Sequence, residues 1–263
     1  MSELTAALDG LVAGYEPIGL DELQAAADLQ SRVDRKYVVD IDDVKRLISM
    51  LGPGLQVFEI AGARCQRYES MYFDTPDLMT YFDAAHDHRR RFKVRTRVYL
   101  ETMFCILELK VRGYRKMTVK ERIPYPIEDR YRLNADARAF MNEQLWLPVD
   151  ELRLEPTFET SYRRCTILSP DRTTRLTIDS EVTLQRPDGR VAALPEHYVV
   201  ETKSDGAPTR ADRILWSGGR RPFPFSKYCT GLAATDPNLP ANRWNRPLRR
   251  YYDWLPMRET AGL

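Results

Sequence analysis

Apolar and polar residues alternate at every second position in eight segments of the chain, a pattern typical of β-strands with two unlike faces. The segments are 31–39, 67–74, 89–100, 103–112, 115–124, 156–168, 173–184 and 197–204. Few of them are separated by a stretch long enough for a crossover helix, which favours antiparallel pairing. The pattern predicts an α+β protein in which an antiparallel eight-stranded β-barrel carries peripheral helices.

Helical periodicity and capping residues predict the helices. Asp40 is placed to cap a helix that Gly52 and Pro53 end, and Thr209 is placed to cap another. The predicted helices cover 3–13, 20–31, 41–51, 76–85, 133–146 and the segment from Thr209 to Trp216. After Gly231 the chain is rich in Pro, Asn and Arg, which indicates an irregular surface segment. We expect an N-terminal helical segment (1–30), a barrel domain (31–230) and an irregular C-terminal tail (231–263).

The polar faces of the predicted strands are densely ionic. One face of each strand carries, in chain order, Arg32, Asp34 and Lys36; Arg89, Arg91, Lys93, Arg95 and Arg97; Glu108, Lys110 and Arg112; Lys120 and Arg122; Arg175, Thr177, Asp179 and Glu181; Glu201 and Lys203. A single such face is typical of a solvated sheet surface. Several adjacent rows of arginine would repel one another, because like charges directly opposite each other destabilise a strand pair.

A bound polyanion inside the barrel would offset this repulsion. Arginine offers a bidentate fork to phosphate oxygens and lysine a point charge, while carboxylates among them suit a divalent cation. We therefore expect the ionic faces to point inward, with residues 92, 94, 107, 109 and 176 outward beneath helices.

Charge is unevenly distributed along the chain. The 263 residues include 40 Lys and Arg and 38 Asp and Glu. Residues 1–31 hold six of the acids and no Lys or Arg, so the remainder has 40 basic and 32 acidic residues, a net charge of +8. This excess indicates a polyanionic partner.

Other sequence features bear on the cellular compartment. No apolar run reaches the ~20 residues that a membrane span needs, and the first residues do not resemble a signal peptide. The four cysteines are far apart and form no Cys-x-x-Cys motif. They indicate reduced, buried thiols, and we expect a cytoplasmic protein without a membrane span.

Short motifs resemble those of the VTC (vacuolar transporter chaperone) domain, the catalytic domain of eukaryotic polyphosphate polymerase within the triphosphate tunnel metalloenzyme superfamily. The matching stretches occur in the family's order over about 31–228: Arg32-Val-Asp-Arg-Lys-Tyr37, Ser70-Met-Tyr-Phe-Asp-Thr75, Arg95-Thr-Arg97, Leu107-Glu-Leu-Lys110, Val119-Lys120, Tyr162-Arg-Arg164, Val200-Glu-Thr-Lys203 and Phe225-Ser-Lys-Tyr228.

The resemblance implies roles for individual residues. Those that match the family's phosphate-binding, catalytic basic residues are Lys36, Arg95, Arg97, Lys110, Lys120, Arg164 and Lys227. Glu201 matches its metal-binding glutamate, and Tyr162 and Ser226 match polar groups near the nucleotide. Glu108 is a second candidate metal ligand, or orients Lys110. The ionic faces add Arg32, Lys93, Arg122 and Lys203 as candidate substrate-binding residues.

One motif departs from the hydrolytic branch of the superfamily. Hydrolytic enzymes of the CYTH type begin with Glu-x-Glu-x-Lys, whereas this chain has Arg32-x-Asp34-x-Lys36. An acid is lost and a cation gained, which favours the VTC branch.

The resemblance implies an ATP-dependent polyphosphate polymerase that uses Mn²⁺ or Mg²⁺, with ATP and inorganic polyphosphate or tripolyphosphate as partners. One alternative is a hydrolase of triphosphate or nucleoside triphosphate, and Asp34, Glu108, Asp179, Glu181 and Glu201 leave it open. Another is a non-catalytic polyphosphate or nucleotide sensor. Nucleic-acid binding is not expected, because the basic strand faces lack interleaved aromatic residues for base stacking.

Overall fold

The structure, a computed structural model, describes residues 2–26, 33–112, 118–172, 174–204, 206–252 and 254. The helices in this part of the chain are α1 (Glu3–Val12), α2 (Leu20–Ala26), α3 (Ile41–Leu51), α4 (Met79–Ala85), α5 (Ala135–Gln144), α6 (Arg210–Ser217), α7 (Lys227–Thr235) and α8 (Asn245–Tyr251). None of these described helices is long and apolar enough to cross a membrane.

The strands in the same residues are β1 (Glu16–Ile18), β2 (Val33–Val39), β3 (Gln56–Phe58), β4 (Cys65–Asp74), β5 (Arg91–Tyr99), β6 (Phe104–Arg112), β7 (Thr118–Pro124), β8 (Glu155–Leu168), β9 (Arg175–Gln185), β10 (Val191–Ala193) and β11 (Tyr198–Ser204). The eight long strands follow the order β2-β11-β9-β8-β4-β5-β6-β7, and β1, β3 and β10 lie off this path. The pairs β2–β11, β11–β9, β4–β5, β5–β6 and β6–β7 are antiparallel.

The α+β class and the eight antiparallel strands are confirmed, but the predicted closure into a barrel is not. The strand order is open, with β2 and β7 at its two ends in the described part of the chain. Both end strands carry a cluster of charges, Asp34 to Lys36 in β2 and Lys120 to Arg122 in β7. Charged side chains are the usual protection of an unpaired sheet edge.

The bounds of α3 follow from the residues at its ends. The side chain of Asp40 accepts a hydrogen bond from the backbone N of Asp43 at 2.9 Å, which satisfies one amide of the first turn. Gly52 follows the last turn with φ +82°, a conformation that glycine adopts without steric cost. The predicted helix over 41–51 and its capping residues are confirmed.

The chain divides into two compact units. The first unit contains residues 1–67, 161–183 and 193–224. Its core packs α1, α3 and α6 against one face of the strands. Leu47 and Ile48 of α3 and Ile214 of α6 are buried with Leu176 and Ile178 of β9. The apolar half of each alternating strand is therefore the half that the helices cover.

The second unit contains residues 68–160, 184–192 and 225–263. Its core joins Phe92 and Val94 of β5 and Leu107 and Leu109 of β6 with residues of α5 such as Met141. These strand residues are at most 1% exposed. The prediction that residues 92, 94, 107, 109 and 176 lie beneath helices is confirmed within each unit.

Two parts of the prediction are wrong. The segment after Gly231 was expected to be irregular, yet α7 continues to Thr235 and α8 covers Asn245–Tyr251. The proline and glycine residues of this segment suggested a loop. Pro247, however, is the third residue of α8, where the backbone amide that proline lacks would have no partner within the helix. The short strands β1, β3 and β10 were also missed, because three residues are too few to show alternation. The division at residues 30 and 230 stays a prediction.

Candidate functional site

Eight basic side chains share one face of three neighbouring strands in the second unit. This cationic face consists of Arg91, Lys93, Arg95 and Arg97 of β5, Lys110 and Arg112 of β6, and Lys120 and Arg122 of β7. Among the described residues of these strands, Glu108 is the sole carboxylate on that face. The prediction that Arg95 and Lys110 lie on the same face is confirmed by the register, in which Lys93 is opposite Lys110.

The register brings like charges into direct opposition. Lys110 lies opposite Lys93 on one side and opposite Lys120 on the other. Opposed side chains in an antiparallel pair have Cβ atoms about 4.5–5.5 Å apart, close enough for repulsion. The burial of Val94 and Leu109 on the reverse face holds the strands together despite this repulsion.

Glu108 is the central acid of the cationic face. Its carboxylate is ion-paired with Arg95, and its Oε2 lies 2.6 Å from Lys120 Nζ. Burial opposes its charge, but Arg95, Arg97 and Lys120 outweigh burial and hold the pKa of Glu108 below its ordinary value. With a side chain only 4% exposed, Glu108 is placed to orient Arg95 and Lys120.

Lys120 is on the open side of this ion group, with a side chain that is 46% exposed. Burial of the ammonium lowers its pKa to about 7; Glu108 opposes the shift, and Arg97 and Arg95 add to it. Water reaches so much of this side chain that solvent screening reduces the shift. Lys120 is therefore the cation of this group whose charge responds most readily to pH or to an arriving anion.

Tyrosines of β4 support the arginines. Arg95 donates a hydrogen bond to the hydroxyl of Tyr72, and its guanidinium carbon lies 5.3 Å from the Tyr72 ring centroid. Arg97 Nε donates to Ser70 Oγ at 3.2 Å and stands 5.6 Å from the Tyr68 ring. Both tyrosines are 7% exposed, so they hold the arginines and leave no open ring face for a base.

Helix α7 brings further predicted residues to this unit. Ser226 caps α7, and its Oγ accepts a hydrogen bond from Lys93 Nζ at 3.1 Å. Lys227 is the first residue of the helix and is half-buried. Tyr228 donates to the fully buried Asp74 and stacks on Tyr72 at 4.9 Å. The Asp74–Tyr228 contact therefore attaches α7 to the strand that supports Arg95.

The first unit has its own ionic group, the Glu201 group, made of Lys36, Arg164, Asp179, Glu201 and Lys203. Glu201 of β11 lies opposite Lys36 of β2, and its Oε1 is 3.0 Å from Lys203 Nζ. Burial opposes the charge on Glu201, but Lys203, Lys36 and Arg164 hold the pKa of Glu201 well below its ordinary value. Glu201 is therefore ionised, with a side chain 11% exposed.

Arg164 completes the Glu201 group from β8. Its Nε and Nη2 bind the two oxygens of Asp179 at 2.6 and 2.8 Å, a bidentate pair. Burial disfavours its charge, but Asp179 outweighs burial and raises the pKa of Arg164. The buried ring of Tyr162 stands 5.2 Å from the guanidinium carbon. Arg164 is thus fixed in direction before any ligand binds.

The predicted alternation fails within β9. Glu181 was expected to share a face with Asp179, but it has φ +53° and accepts hydrogen bonds from Thr5 of α1 and from Arg163. The left-handed backbone interrupts the period of two, so the side chain turns toward α1.

The donor atoms near Glu201 can be tested against the predicted Mn²⁺ or Mg²⁺. No group of three or more His, Cys, Asp or Glu side chains in the described residues could hold a metal ion. Thr177 lies opposite Glu201, and its buried hydroxyl has no hydrogen-bond partner within the described chain. Mg²⁺ is commonly held by one or two carboxylates together with substrate phosphates. Glu201 with Thr177 fits an ion that arrives with phosphate.

The predicted residues are thus divided between two groups. Lys93, Arg95, Arg97, Glu108, Lys110, Lys120, Arg122, Ser226 and Lys227 belong to the second unit, and Lys36, Tyr162, Arg164, Glu201 and Lys203 to the first. Arg32 lies outside the described residues. Lys110 and Arg122 are exposed. The roles of all these residues stay predictions.

Sequence reasoning missed several supporting residues. Ser70, Tyr72, Asp74 and Tyr228 lie in motifs that carry the family resemblance, and that was the available signal. Asp179 and Thr177 were assigned to an ionic face but not to a site. Their partners Arg164 and Glu201 are on other strands, so the pairing depends on strand order.

The fold and these faces define an antiparallel β-sheet protein with basic surfaces suited to phosphate. Residues 31–235 match the VTC domain, and the chain belongs to this family. Membership indicates an enzyme that acts on a triphosphate or a polyphosphate. No protein of curated function matches the sequence.

The chain is similar to several solved structures. One is a candidate adenylate cyclase from Bacillus halodurans, which has 16% sequence identity and a TM-score of 0.49. The similarity covers 74% of this chain and 94% of that chain. A candidate adenylate cyclase from Vibrio parahaemolyticus has 11% identity and a TM-score of 0.45, with coverage of 78% and 98%. HpAC1 from Hippeastrum, described as a candidate adenylyl cyclase with a dominant triphosphatase activity, has 14% identity and a TM-score of 0.46, with coverage of 78% of this chain and 96% of that chain.

Proposed function

We propose that the protein transfers the γ-phosphate of ATP to a polyphosphate chain with the help of Mn²⁺ or Mg²⁺. The observation that carries this proposal is the row Lys93, Lys110 and Lys120, three lysines opposite one another across β5, β6 and β7. Such a row is unfavourable by itself and becomes favourable when an anion of high charge density binds. Family membership supports a triphosphate or polyphosphate as that anion.

The chemistry asks the protein for position and charge. An oxygen of the terminal phosphate of the acceptor chain attacks the γ-phosphorus, the bond to the β–γ bridging oxygen breaks, and ADP leaves with the electron pair. The transition state is loose, with charge on the transferred oxygens, so fixed cations supply most of the stabilisation. Arg95 and Arg97, already oriented by Tyr72 and Ser70, are suited to this role.

The remaining predicted residues divide into phosphate and metal ligands. Lys36, Lys110, Lys120, Arg164 and Lys227 would bind phosphate oxygens, with Lys93, Arg122, Lys203, Tyr162 and Ser226 as further contacts. Glu201, with Thr177 opposite, would hold the divalent ion. When bound, that ion would neutralise charge on phosphate oxygens.

Engaged carboxylates support a phosphate acceptor over water. A hydrolase needs an acid that can orient or deprotonate water. Asp179 is held by Arg164, Glu108 by Arg95 and Lys120, and Glu181 by Arg163. Against the effect of burial, these contacts hold the pKa of Glu108 and that of Glu181 below their ordinary values, and Arg164 occupies both oxygens of Asp179. An acceptor phosphate brings its own anionic oxygen and needs no base.

The test is incubation of the full chain with ATP and Mn²⁺ or Mg²⁺, with products resolved on a gel and free phosphate measured in parallel. We expect a ladder of polyphosphate chains and stoichiometric ADP, with little free phosphate. Release of free phosphate without polyphosphate chains would show that the protein is a hydrolase and not a polymerase. Tight tripolyphosphate binding with no turnover in either metal would favour a sensor.

A further inference from the structure

A second group of guanidinium side chains lies at the end of the cationic face. Asp87 Oδ1 is 2.8 Å from Arg91 Nη1 and 3.0 Å from Arg112 Nη1, and it also contacts Arg243. Arg91 and Arg112 are opposite each other on β5 and β6, whereas Arg243 lies in the turn just before α8. These four residues, the Asp87 cluster, all belong to the second unit.

The Asp87 cluster carries more positive charge than its own acid can neutralise. Among the described residues, three guanidinium groups contact this one carboxylate, which leaves two positive charges in excess. The hydrogen bond from Arg243, together with Arg91 and against slight burial, lowers the pKa of Asp87 to about 2, so the carboxylate is already ionised at neutral pH. Burial and the neighbouring Arg112 lower the pKa of Arg91, a sign of crowding among cations.

The Asp87 cluster continues the cationic face without a gap. Arg91 and Lys93 are two positions apart on β5, and Arg112 and Lys110 are two positions apart on β6. Successive residues on one face of a strand are about 7 Å apart. The rows Arg91–Arg112, Lys93–Lys110–Lys120 and Arg95–Glu108–Arg122 therefore form one cationic track along the strands.

We propose that the Asp87 cluster is a phosphate subsite. It binds phosphate units of a long polyphosphate chain that extend past the units bound by Lys93, Lys110 and Lys120. The proposal rests on the proposed function, since it concerns the longer substrate or product of that activity. Guanidinium forks on two strands and on a distant segment can bind successive phosphates of a flexible chain. Asp87, 57% exposed, is displaced or screened when phosphate oxygens arrive.

The test compares the binding of tripolyphosphate and of long-chain polyphosphate to the full chain, over a range of salt concentrations. In the wild type, long chains should bind more tightly and with a steeper salt dependence, because more counterions are released. Arg243→Gln should weaken long-chain binding about 10-fold and reduce the slope of log K against log salt by about 1, while tripolyphosphate affinity changes less than twofold. Arg112→Gln, on the strand side of the cluster, should weaken long-chain binding likewise.

Arg153→Gln is the matched control, because Arg153 also pairs with one acid, Glu155, but lies outside the cationic face. It should leave both affinities unchanged. Three results would each overturn the subsite: no chain-length preference in the wild type, no loss in a folded Arg243→Gln or Arg112→Gln variant, or equal losses for both ligands. The experiment measures binding and not catalysis. A wild-type protein that binds long chains but never elongates them would therefore contradict the proposed polymerase activity without contradicting the subsite.

Discussion

Lys93 of β5 and Lys110 of β6 stand directly opposite each other in the antiparallel register, with Lys120 of β7 next in the row. The ladder hydrogen bonds and the buried reverse face of these strands keep the three lysines in one row. Like charges opposite one another destabilise a strand pair, and a bound anion would relieve this repulsion.

Lys110→Gln should change stability and affinity in opposite directions. Removal of the middle lysine relieves like-charge contacts, so the free energy of unfolding without ligand should rise by about 0.2–1 kcal/mol. Tripolyphosphate should then raise the melting temperature less than it does in the wild type, because one phosphate contact is lost. Thermal unfolding with and without ligand measures both effects, and a variant that loses stability without ligand would contradict the repulsion.

Arg97 should contribute to phosphate binding through the bidentate hydrogen bonds of its guanidinium group as well as through its charge. Hydrogen bonds to charged groups contribute about 1.5–3 kcal/mol, so Arg97→Ala should weaken tripolyphosphate binding about 10- to 100-fold and lower turnover. Arg97→Lys keeps the charge without the fork and should fall between Arg97→Ala and the wild type. Tyr68→Phe keeps the ring against Arg97 and serves as the control. Equal affinities of the wild type and both Arg97 variants in calorimetry would remove Arg97 from the site.

Lys120 should make anion binding depend on pH near neutrality. Burial lowers its pKa toward about 7, and solvent screening leaves it somewhat higher. Phosphate binds the protonated ammonium, so tripolyphosphate affinity should fall as pH rises above about 7. Lys120→Arg keeps its charge throughout this range and should lose that part of the decline. Ionisation of the ligand is common to both proteins and cancels in their ratio. A ratio that is constant between pH 6 and 9 would exclude titration of Lys120.

Glu201→Gln should separate binding from catalysis. Loss of the carboxylate leaves Lys203 and Lys36 without their acid, so tripolyphosphate should bind as well as before or more tightly. Turnover of ATP should fall at least about 100-fold, because the proposed metal ligand is gone. The exposed Glu196 gives the control Glu196→Gln. Full activity in a folded Glu201→Gln variant would show that Glu201 only pairs with Lys203.

Tyr228 and Tyr81 form a matched pair for the attachment of α7. Both are buried, but the hydroxyl of Tyr228 donates to the carboxylate of Asp74, whereas that of Tyr81 donates to the carbonyl of Pro240 at 3.0 Å. Tyr228→Phe should lower the free energy of unfolding by about 1.5–3 kcal/mol and Tyr81→Phe by about 0.5–1.5 kcal/mol. Urea unfolding of both variants measures the difference in the free energy of unfolding. An equal or smaller loss of stability in Tyr228→Phe would mean that the hydrogen bond to Asp74 contributes no more than an ordinary one.

The sequence by itself determined which side chains share a face. Alternation in β5 and β6 assigned Arg95 and Lys110 to one face and Phe92, Val94, Leu107 and Leu109 to the other, because a strand has a side-chain period of two. It also determined α3, whose capping residue and terminal glycine lie next to the helix in the chain. These are local properties, and local rules suffice for them.

Tertiary structure decided which charges meet. Asp179 pairs with Arg164 on the preceding strand, whereas Tyr228 with Asp74 and Arg243 with Asp87 join residues far apart in the chain. Strand order and register set such pairs, and no periodicity within one segment encodes them. The positive φ of Glu181, whose side chain contacts Thr5 and Arg163, likewise follows from no pattern within its own segment.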